Sequence, residues 1–440
     1  MTALPDYLEI TGGRPLQGEV PMAGSKNAAL PILAATICAP GRYTLHNLPD
    51  LLDVHVFLQV LEALGATVSP LANGTATVDT SGIRCADPQP PKDLVSKMRA
   101  SVLVMGPLLG RCGRAEVTMP GGCSLGARPI NYHLAGFEAM GAQLVPHNGT
   151  IMVDAARGLH GADIDLPFAS VGATENLLMA AVLAQGETVI RNAAREPEVT
   201  DLGEFLVAMG AHIDGLGERD IRIHGGAPLH PVEYTVIPDR IEAGSYLCAL
   251  ANTGGSGRIT RCRPEHFTEL LRVLEEAGCR LTVGDTWVEL QAPPTLGAVG
   301  LCTGPYPAFA TDHQPLWMSC LTTAHAPLGF EIILETLFES RFNQVAPLKE
   351  LGADIEVLSQ VACVRPVSTL RPGTIAATDI RGGMGLVVAA LRIPGTTRIT
   401  QLHHLQRGYS QLTEKLEALG ATARYCSNCD SPAPIAAVAG

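Results

Sequence analysis

The chain has little of what marks several large classes of protein. Only 4% of its 440 residues are aromatic, and it has no run of about 18 to 20 apolar residues, which argues against a membrane-spanning helix. Its net charge of -12 argues against nucleic acid as the main partner. Residues 1–6 lack the charged and apolar regions of a secretory signal. These absences predict a globular cytoplasmic protein, long enough for two or more domains.

The twelve cysteines do not form a recognisable framework. Their spacing fits neither a set of disulfides nor paired zinc sites. In a reducing cytoplasm we therefore expect free thiols. Cys426 and Cys429 have the spacing of half a zinc site, but no second pair or histidine cluster lies near them in the sequence, so we predict no metal.

What the sequence does contain is a repeat of six units. An apolar helical stripe that ends in glycine and leads into a strand recurs at intervals of 76, 69, 68, 74 and 68 residues. A left-handed glycine at each helix end would let the strand follow directly. The six glycines are Gly65, Gly141, Gly210, Gly278, Gly352 and Gly420. A second glycine, 21 to 28 residues upstream of each, precedes a further strand: Gly41, Gly113, Gly186, Gly257, Gly329 and Gly395.

The repeat predicts the architecture. Each unit of about 70 residues contains helix, strand, helix and strand, which is an α/β arrangement. Six such units are too large for a solenoid and too few for a propeller, so we expect two similar domains of three units. Helices would lie inside each domain and sheets outside. The midpoint of the series falls near residues 231–239, and a ligand is expected in the cleft between the domains.

The loop around Cys123 has the composition of a reactive-thiol site. Gly121 and Gly122 precede the cysteine and permit a tight turn, and Arg128 follows five residues later. A cation there can lower the pKa of a thiol or hold an anion beside it. The alternative is that Cys123 is one more small buried hydrophobic residue.

Several cations occur where a strand or loop meets a helix. Lys26, followed by Asn27, opens an apolar helix, where an ammonium group, an amide and a helix N-terminus can converge on an anion. Four arginines at similar junctions together suit a substrate that carries phosphate and carboxylate: Arg99, Arg341, Arg381 and Arg407. The alternatives are a solvated lysine and surface ion pairs.

Asp312 is the candidate general base. It lies on a loop punctuated by proline, next to His313. The alternative is that Asp312 caps the N-terminus of a helix.

These residues carry a resemblance that covers nearly the whole chain. The sequence resembles the UDP-N-acetylglucosamine enolpyruvyl transferases, relatives of the shikimate-pathway enolpyruvyl transferase, in the segments 25–30, 98–101, 121–123, 126–129, 170–174, 192–198, 238–242 and 407–409. The resemblance implies a two-domain inside-out α/β barrel whose opening strand pairs into the later domain. We expect residues 1–23 and 239–440 in the first domain, residues 24–238 in the second, and a disordered tail at 431–440.

The resemblance also implies a reaction and its residues. Enolpyruvyl would pass from phosphoenolpyruvate to a substrate hydroxyl through a tetrahedral adduct that expels phosphate, without metal or organic cofactor. Cys123 would act as general acid and Asp312 as base, with Lys26 also catalytic. Lys26, Arg99, Arg128 and Arg407 would hold phosphate, and Arg341 and Arg381 the carboxylate. The nucleotide would contact Asn27, Arg128, Pro129, Ile130, Asn131, Tyr132, Ser170, Val171, Gly172 and Leu337. Fosfomycin would alkylate Cys123.

The acceptor side departs from the family pattern. Phe168 stands where the family usually has a lysine that contacts the nucleotide diphosphate, and residues 130–132 replace a common Val-Asp-Leu. Further departures are Cys302 for Arg, Tyr306 for His, Ala310 for Pro, and the glycine-rich segment 382–385.

We hypothesise from these departures that the acceptor is the 3′-hydroxyl of UMP, as in family members of nucleoside-antibiotic pathways of the nikkomycin and polyoxin type. The first alternative is UDP-N-acetylglucosamine, in peptidoglycan synthesis. An alternative of another class is a catalytically silent nucleotide-binding regulator. Retention of Cys123, Asp312 and the arginines argues against the regulator.

Overall fold

The computed structural model describes residues 6–85, 99–118, 130–147 and 150–427. Its strands are β1 Tyr7–Gly12, β2 Gln17–Pro21, β3 Arg42–His46, β4 Thr67–Val68, β5 Ala76–Asp79, β6 Arg114–Thr118, β7 Gln143–His147, β8 Thr150–Asp154, β9 Asp163–Asp165, β10 Gly186–Arg191, β11 His212–Asp214, β12 Ile221–Gly225, β13 Glu233–Thr235, β14 Ser256–Thr260, β15 Arg280–Val283, β16 Trp287–Gln291, β17 Leu301–Cys302, β18 Glu331–Leu334, β19 Asp354–Leu358, β20 Val361–Arg365, β21 Thr374–Ala376, β22 Gly395–Thr400 and β23 Thr422–Cys426. The predicted tail at 431–440 lies outside the described residues.

The helices fall between these strands. They are α1 Lys26–Ala35, α2 Leu52–Leu64, α3 Met105–Cys112, α4 Asn131–Ala139, α5 Val171–Ala181, α6 Pro197–Ala208, α7 Arg240–Asn252, α8 Thr268–Glu276, α9 Gln314–Leu321, α10 Val345–Glu350, α11 Ile380–Arg392, α12 His403–Gln406 and α13 Leu412–Ala418, with 3-10 turns at Thr36–Cys38, Arg99–Val104 and Pro264–His266.

The described strands form six small sheets, as a repeat of six units predicts. Their strand orders are β13-β3-β5-β4, β6-β8-β7, β11-β12-β10-β9, β15-β16-β14-β2, β17-β18-β20-β19 and β21-β22-β1-β23. In β15-β16-β14-β2 and β17-β18-β20-β19, an antiparallel hairpin pairs with a third strand that is joined by a fourth, parallel strand. In the last sheet β1, the opening strand of the chain, lies antiparallel between β22 and β23.

The twelve glycines that mark the repeat, six at helix ends and six upstream, can be compared with their backbone angles. All six glycines that end the helical stripes have φ between 79° and 112°, a left-handed conformation that is strained for residues with a β-carbon. Five of the six upstream glycines also have positive φ, whereas Gly257 lies inside β14 with no such requirement. The repeat therefore encodes helix ends and strand starts.

Helices lie inside and sheets outside, which confirms the predicted inside-out fold. Every residue of α7 and of α9 is buried, whereas strands such as β15 and β19 are mostly exposed. The buried apolar residues form two separate cores. One contains residues between Ala28 and Ile237. The other contains residues from Leu8 to Met22 and from Ala243 to Ala423. The domain boundaries at 23/24 and 238/239 remain a prediction.

Two segments of the chain cross side by side between the cores. Ser25 N–H donates to the Ile237 carbonyl at 2.8 Å, and Asp239 N–H donates to the Ala23 carbonyl at 2.9 Å. The Asp239 carboxylate accepts from Lys26 N–H at 3.2 Å. The crossing therefore fixes the start of α1, and with it Lys26, beside the start of α7.

The prediction that all cysteines are free thiols is wrong. Cys85 and Cys112 form a disulfide across a sequence separation of 27 residues. The end of α3 lies beside the segment that follows β5, where the Arg111 guanidinium donates to the carbonyls of Ile37 and Thr80. This contact comes from tertiary packing, which the spacing of cysteines in the sequence does not reveal.

The described residues contain no cluster of three or more groups able to bind a metal, and they contain no helix with the length and hydropathy needed to cross a bilayer.

Candidate active site

Lys26, Asp53 and Arg407 form a charge cluster that joins the two cores. Lys26 opens α1, Asp53 lies in the first turn of α2, and Arg407 follows the last residue of α12. The Asp53 carboxylate lies 3.6 Å from Lys26 Nζ and accepts from Arg407 Nε at 2.8 Å. Lys26 is only 8% exposed and Asp53 4%, so the alternative of a solvated lysine does not apply.

Asp312, Arg341 and Arg381 form a second cluster. Arg341 Nη2 and Arg381 Nε each pair with a different oxygen of the Asp312 carboxylate, the latter at 3.2 Å. Both arginines are buried, whereas the Asp312 side chain is 25% exposed. His313, not Asp312, stands at the N-cap position of α9. The Asp312 carboxylate is therefore paired with two arginines and still partly exposed.

A backbone carbonyl orients Arg341, and a tyrosine side chain orients Arg381. Arg341 Nε donates to the Thr311 carbonyl at 3.2 Å, which fixes the guanidinium beside the next residue, Asp312. Arg381 Nη1 donates to the Tyr409 hydroxyl at 3.2 Å, and its guanidinium lies 5.5 Å from the Tyr409 ring centre. Such bonds and ring contacts restrict an arginine to one rotamer, which suits recognition of a planar carboxylate.

The start of α11 explains the glycine-rich segment 382–385. Asp379 caps the helix by accepting from the N–H groups of Arg381 and Gly382 at 3.0 and 2.9 Å. A β-carbon at Gly385 would stand 2.7 Å from the Pro315 carbonyl oxygen. Glycine thus lets α11 approach α9 closely, which brings Arg381 up to Asp312.

The two clusters act on one another electrostatically. Burial lowers the pKa of Lys26, and Asp53 partly raises it again, while Arg381 and Asp312 of the other cluster act in opposite directions. Burial also lowers the pKa of Arg381, but Tyr409 and Asp312 outweigh it and the net shift is upward. Each cluster combines two cations with one carboxylate. The site is therefore locally positive within an acidic chain.

Another titratable neighbour of Asp312 is unsuited to proton transfer. His313 is 2% exposed, and burial together with the charge of Arg240 lowers its pKa to about 3. Its Nε2 lies 3.3 Å from the Arg240 carbonyl. Asp312, whose side chain is 25% exposed, remains the candidate base at this position.

Other predicted residues are only partly described. Cys123, Arg128 and Pro129 lie outside the described residues, and Arg99 is described only as part of a 3-10 turn. Ile130 and Asn131 begin α4, where Ile130 is buried. Their predicted roles remain proposals.

The predicted nucleotide contacts at α4 and α5 lie at adjacent helix starts. Ser170 caps α5 by accepting from Ala173 N–H at 3.4 Å, and Val171 and Gly172 form its first turn. A β-carbon at Gly172 would meet the ring of His133, in α4, at 3.4 Å. The remaining predicted contacts are all partly buried: Asn27, Tyr132 and Leu337.

Sequence reasoning missed two features of the site. Asp53 stands in an ordinary amphipathic helix, and nothing in its local pattern marks it as the partner of Lys26 and Arg407. Arg195 Nη2 donates to the Tyr306 carbonyl at 3.2 Å, a contact between the cores. Only the folded chain brings these residues together.

Replacing Asp53 by Asn is expected to make the protein responsive to added anions. The variant loses the negative charge between Lys26 and Arg407, at a cost of about 1–3 kcal/mol in the free energy of unfolding. Inorganic phosphate can then supply the missing charge, so it should raise the melting temperature of the variant more than that of the wild type. Asp50→Asn is the control, since Asp50 is exposed and pairs with His55. Equal phosphate responses in all three proteins would contradict the assignment.

Comparison with known proteins gives a consistent result over nearly the whole chain. A family model described as EPSP synthase (3-phosphoshikimate 1-carboxyvinyltransferase) matches residues 10–416. The chain is 45% identical over 416 residues to the UDP-N-acetylglucosamine 1-carboxyvinyltransferase of Trichlorobacter lovleyi, covering 94% of this chain and 98% of that protein. It is 44% identical over the same length to the enzyme of that name from Granulibacter bethesdensis, with the same coverage.

Solved structures show the same architecture. The enolpyruvyl transferase NikO from Streptomyces tendae superposes with a TM-score of 0.85 at 29% identity, covering 96% of this chain and 99% of NikO. EPSP synthase from Acinetobacter baumannii superposes with a TM-score of 0.72 at 21% identity, covering 95% of this chain and 99% of that one, a likeness of fold alone.

Proposed function

The chain belongs to the EPSP synthase family of enolpyruvyl (1-carboxyvinyl) transferases, and from this premise we propose that it transfers enolpyruvyl from phosphoenolpyruvate to a hydroxyl of UDP-N-acetylglucosamine. The observation that carries the proposal is the pair of charge clusters described above. Two cations surround Asp53 and two surround Asp312. Such an arrangement complements a donor with phosphate at one end and carboxylate at the other.

The chemistry assigns a role to each cluster. The acceptor oxygen bonds to C2 of phosphoenolpyruvate while C3 gains a proton, which gives a tetrahedral adduct. Return of a C3 proton to the Cys123 thiolate and cleavage of the bond between C2 and the phosphate oxygen would then restore the double bond and release phosphate. Asp312 would take the hydroxyl proton, and Cys123 would donate the proton to C3. Lys26 and Arg407 would stabilise the charge on the phosphate, and Arg341 and Arg381 would hold the carboxylate.

Both cation pairs are already held by carboxylates of the chain itself. Asp53 keeps Lys26 and Arg407 together, and Asp312 keeps Arg341 and Arg381 together. The donor would therefore meet cations whose positions are fixed in advance, which reduces the cost of ordering them on binding.

Identity favours UDP-N-acetylglucosamine over UMP as acceptor. The relatives of that name are 44–45% identical over 94% of the chain, whereas NikO is 29% identical. The hypothesis of a UMP acceptor thus has weaker support than its alternative. One observation still favours UMP as a second candidate: Phe168, where the family usually has a diphosphate-binding lysine, is 41% exposed.

Phe168→Lys tests the acceptor assignment. The exposed side chain can be replaced without opening a cavity, and a new ammonium group would attract a diphosphate. We expect the KM for UDP-N-acetylglucosamine to fall about three- to tenfold, while the dissociation constant for UMP changes less than about twofold. Phe330→Lys is the matched control, because Phe330 is similarly exposed, at 42%, and immediately precedes β18, away from residue 168 in the sequence. Turnover or thermal stabilisation by UMP alone would overturn the proposed acceptor.

A further inference from the structure

Two parallel strands lead to two members of the Asp312 cluster, Asp312 itself and Arg341. β17 and β18 pair in parallel, with Cys302 opposite Leu334, so their carboxyl ends lie at the same edge of the sheet. The segment after β17 contains Asp312, and the segment after β18 contains Arg341. The geometry of the cluster therefore depends on how these two segments are held to one another.

Glu335, the first residue after β18, binds both segments. It is fully buried, at 0% exposure. One of its carboxylate oxygens accepts from the Thr311 hydroxyl at 2.9 Å. The other accepts from the N–H groups of Leu337 and Phe338 at 2.9 and 3.2 Å. A buried carboxylate with three donors on two segments holds them at a fixed separation.

Thr311 connects this carboxylate to the cluster. Its hydroxyl donates to Glu335, its carbonyl accepts from Arg341 Nε, and the next residue is Asp312. A second tie lies at the strand ends, where Thr336 N–H donates to the Thr303 hydroxyl at 3.0 Å and the Thr336 hydroxyl donates to the Thr303 carbonyl at 2.7 Å. The hydrogen bonds between Thr303 and Thr336 hold the two segments together where they leave the strands. Glu335 holds them together next to Asp312.

We infer that Glu335 is a positioning residue, which acts through Thr311 to hold the Asp312 carboxylate and the Arg341 guanidinium in their working geometry. The inference rests on the proposed function. Glu335 is fully buried, and its carboxylate bonds to Thr311, Leu337 and Phe338 and not directly to Asp312 in the hydrogen bonds described above. A displacement of a base by about 1 Å can cost about a hundredfold in rate, so such a support is mechanistically important.

Thr311→Val is the sharpest test, because it removes one hydroxyl at nearly constant volume. Glu335 still caps Leu337 and Phe338, so the Arg341 segment stays in place and only the tie to Asp312 is lost. We expect kcat to fall about 10- to 100-fold while the KM for phosphoenolpyruvate changes less than about threefold. Thr311→Ser retains the hydroxyl and should restore kcat to within about threefold of the wild type.

Substitutions of Glu335 extend the test. In Glu335→Gln the amide oxygen can still accept from the two backbone N–H groups and the amide nitrogen can donate to the Thr311 oxygen, so we expect a milder loss of kcat than in Thr311→Val. Glu335→Ala removes the hydrogen bonds to Thr311 and those to Leu337 and Phe338. We therefore expect kcat to fall and the KM for phosphoenolpyruvate to rise.

Thr322→Val controls for the loss of a buried hydroxyl. Thr322 is 1% exposed, and its hydroxyl donates to the Ser319 carbonyl at 2.7 Å at the far end of α9. This variant should lose thermal stability and keep the wild-type kcat. If folded Thr311→Val and Glu335→Gln match the kcat of Thr322→Val, the positioning role is wrong while the proposed function stands. A wild-type protein that releases no phosphate from phosphoenolpyruvate with either acceptor would overturn both.

Discussion

Asp312→Asn is expected to lose about 10²- to 10⁴-fold in kcat, the range that general acid–base catalysis contributes. Asparagine keeps the size of aspartate but cannot take a proton from the acceptor hydroxyl. It also removes the negative charge that Arg341 and Arg381 share. Phosphoenolpyruvate would then meet two uncompensated guanidinium groups, so we expect its dissociation constant to stay equal or to fall. Loss of kcat with retained donor binding is the signature of a base.

The measurement is steady-state kinetics of phosphate release, together with donor binding by calorimetry. Asp354→Asn is the control, since Asp354 is an exposed aspartate that pairs with Arg365 in the same core. It should keep the wild-type kcat. An Asp312→Asn variant that retains more than about a tenth of the wild-type kcat would rule out Asp312 as the base.

Lys26→Met is expected to lower kcat/KM for phosphoenolpyruvate by about 10²- to 10³-fold, as the loss of one preorganised charged donor commonly does. Methionine fills the space of the buried lysine stem without its charge. The fold should tolerate the change, because Asp53 keeps its bond to Arg407 at 2.8 Å. The variant thus separates donor binding from structural support.

Two further variants serve as controls for the loss of the Lys26 charge. Lys26→Arg retains the charge and should recover part of the lost activity. Lys349→Met removes an exposed lysine of α10 and should leave the kinetics unchanged. If Lys26→Met kept kcat/KM within about threefold of the wild type, the phosphate would have to be held elsewhere.

The repeat made the architecture predictable from sequence. Glycine at a helix end is dictated by local backbone geometry. All six glycines that end the helical stripes, from Gly65 to Gly420, adopt the left-handed conformation. The placement of Lys26, Arg341 and Arg381 at helix starts or loops was likewise visible, because a cation before an apolar helical run is a local pattern. Their burial and their carboxylate partners were not.

The features that sequence reasoning missed depend on contacts distant in the chain. Asp53 pairs with Arg407 across 354 residues, and Glu335 accepts from the Thr311 hydroxyl, 24 residues away. The disulfide between Cys85 and Cys112 arises because the end of α3 lies beside the segment that follows β5, where Arg111 donates to the Thr80 carbonyl, whereas composition predicted free thiols. Charges and thiols have no periodic pattern of their own, so their partners become apparent only when the fold places them.

The most direct test of the account is phosphate release from phosphoenolpyruvate, with UDP-N-acetylglucosamine and with UMP in parallel and with the product identified by mass. We predict phosphate release with UDP-N-acetylglucosamine and a product with the mass of its enolpyruvyl ether. Release with UMP alone would transfer the activity to the second candidate. No release with either acceptor would contradict the assignment of the two charge clusters to an enolpyruvyl donor.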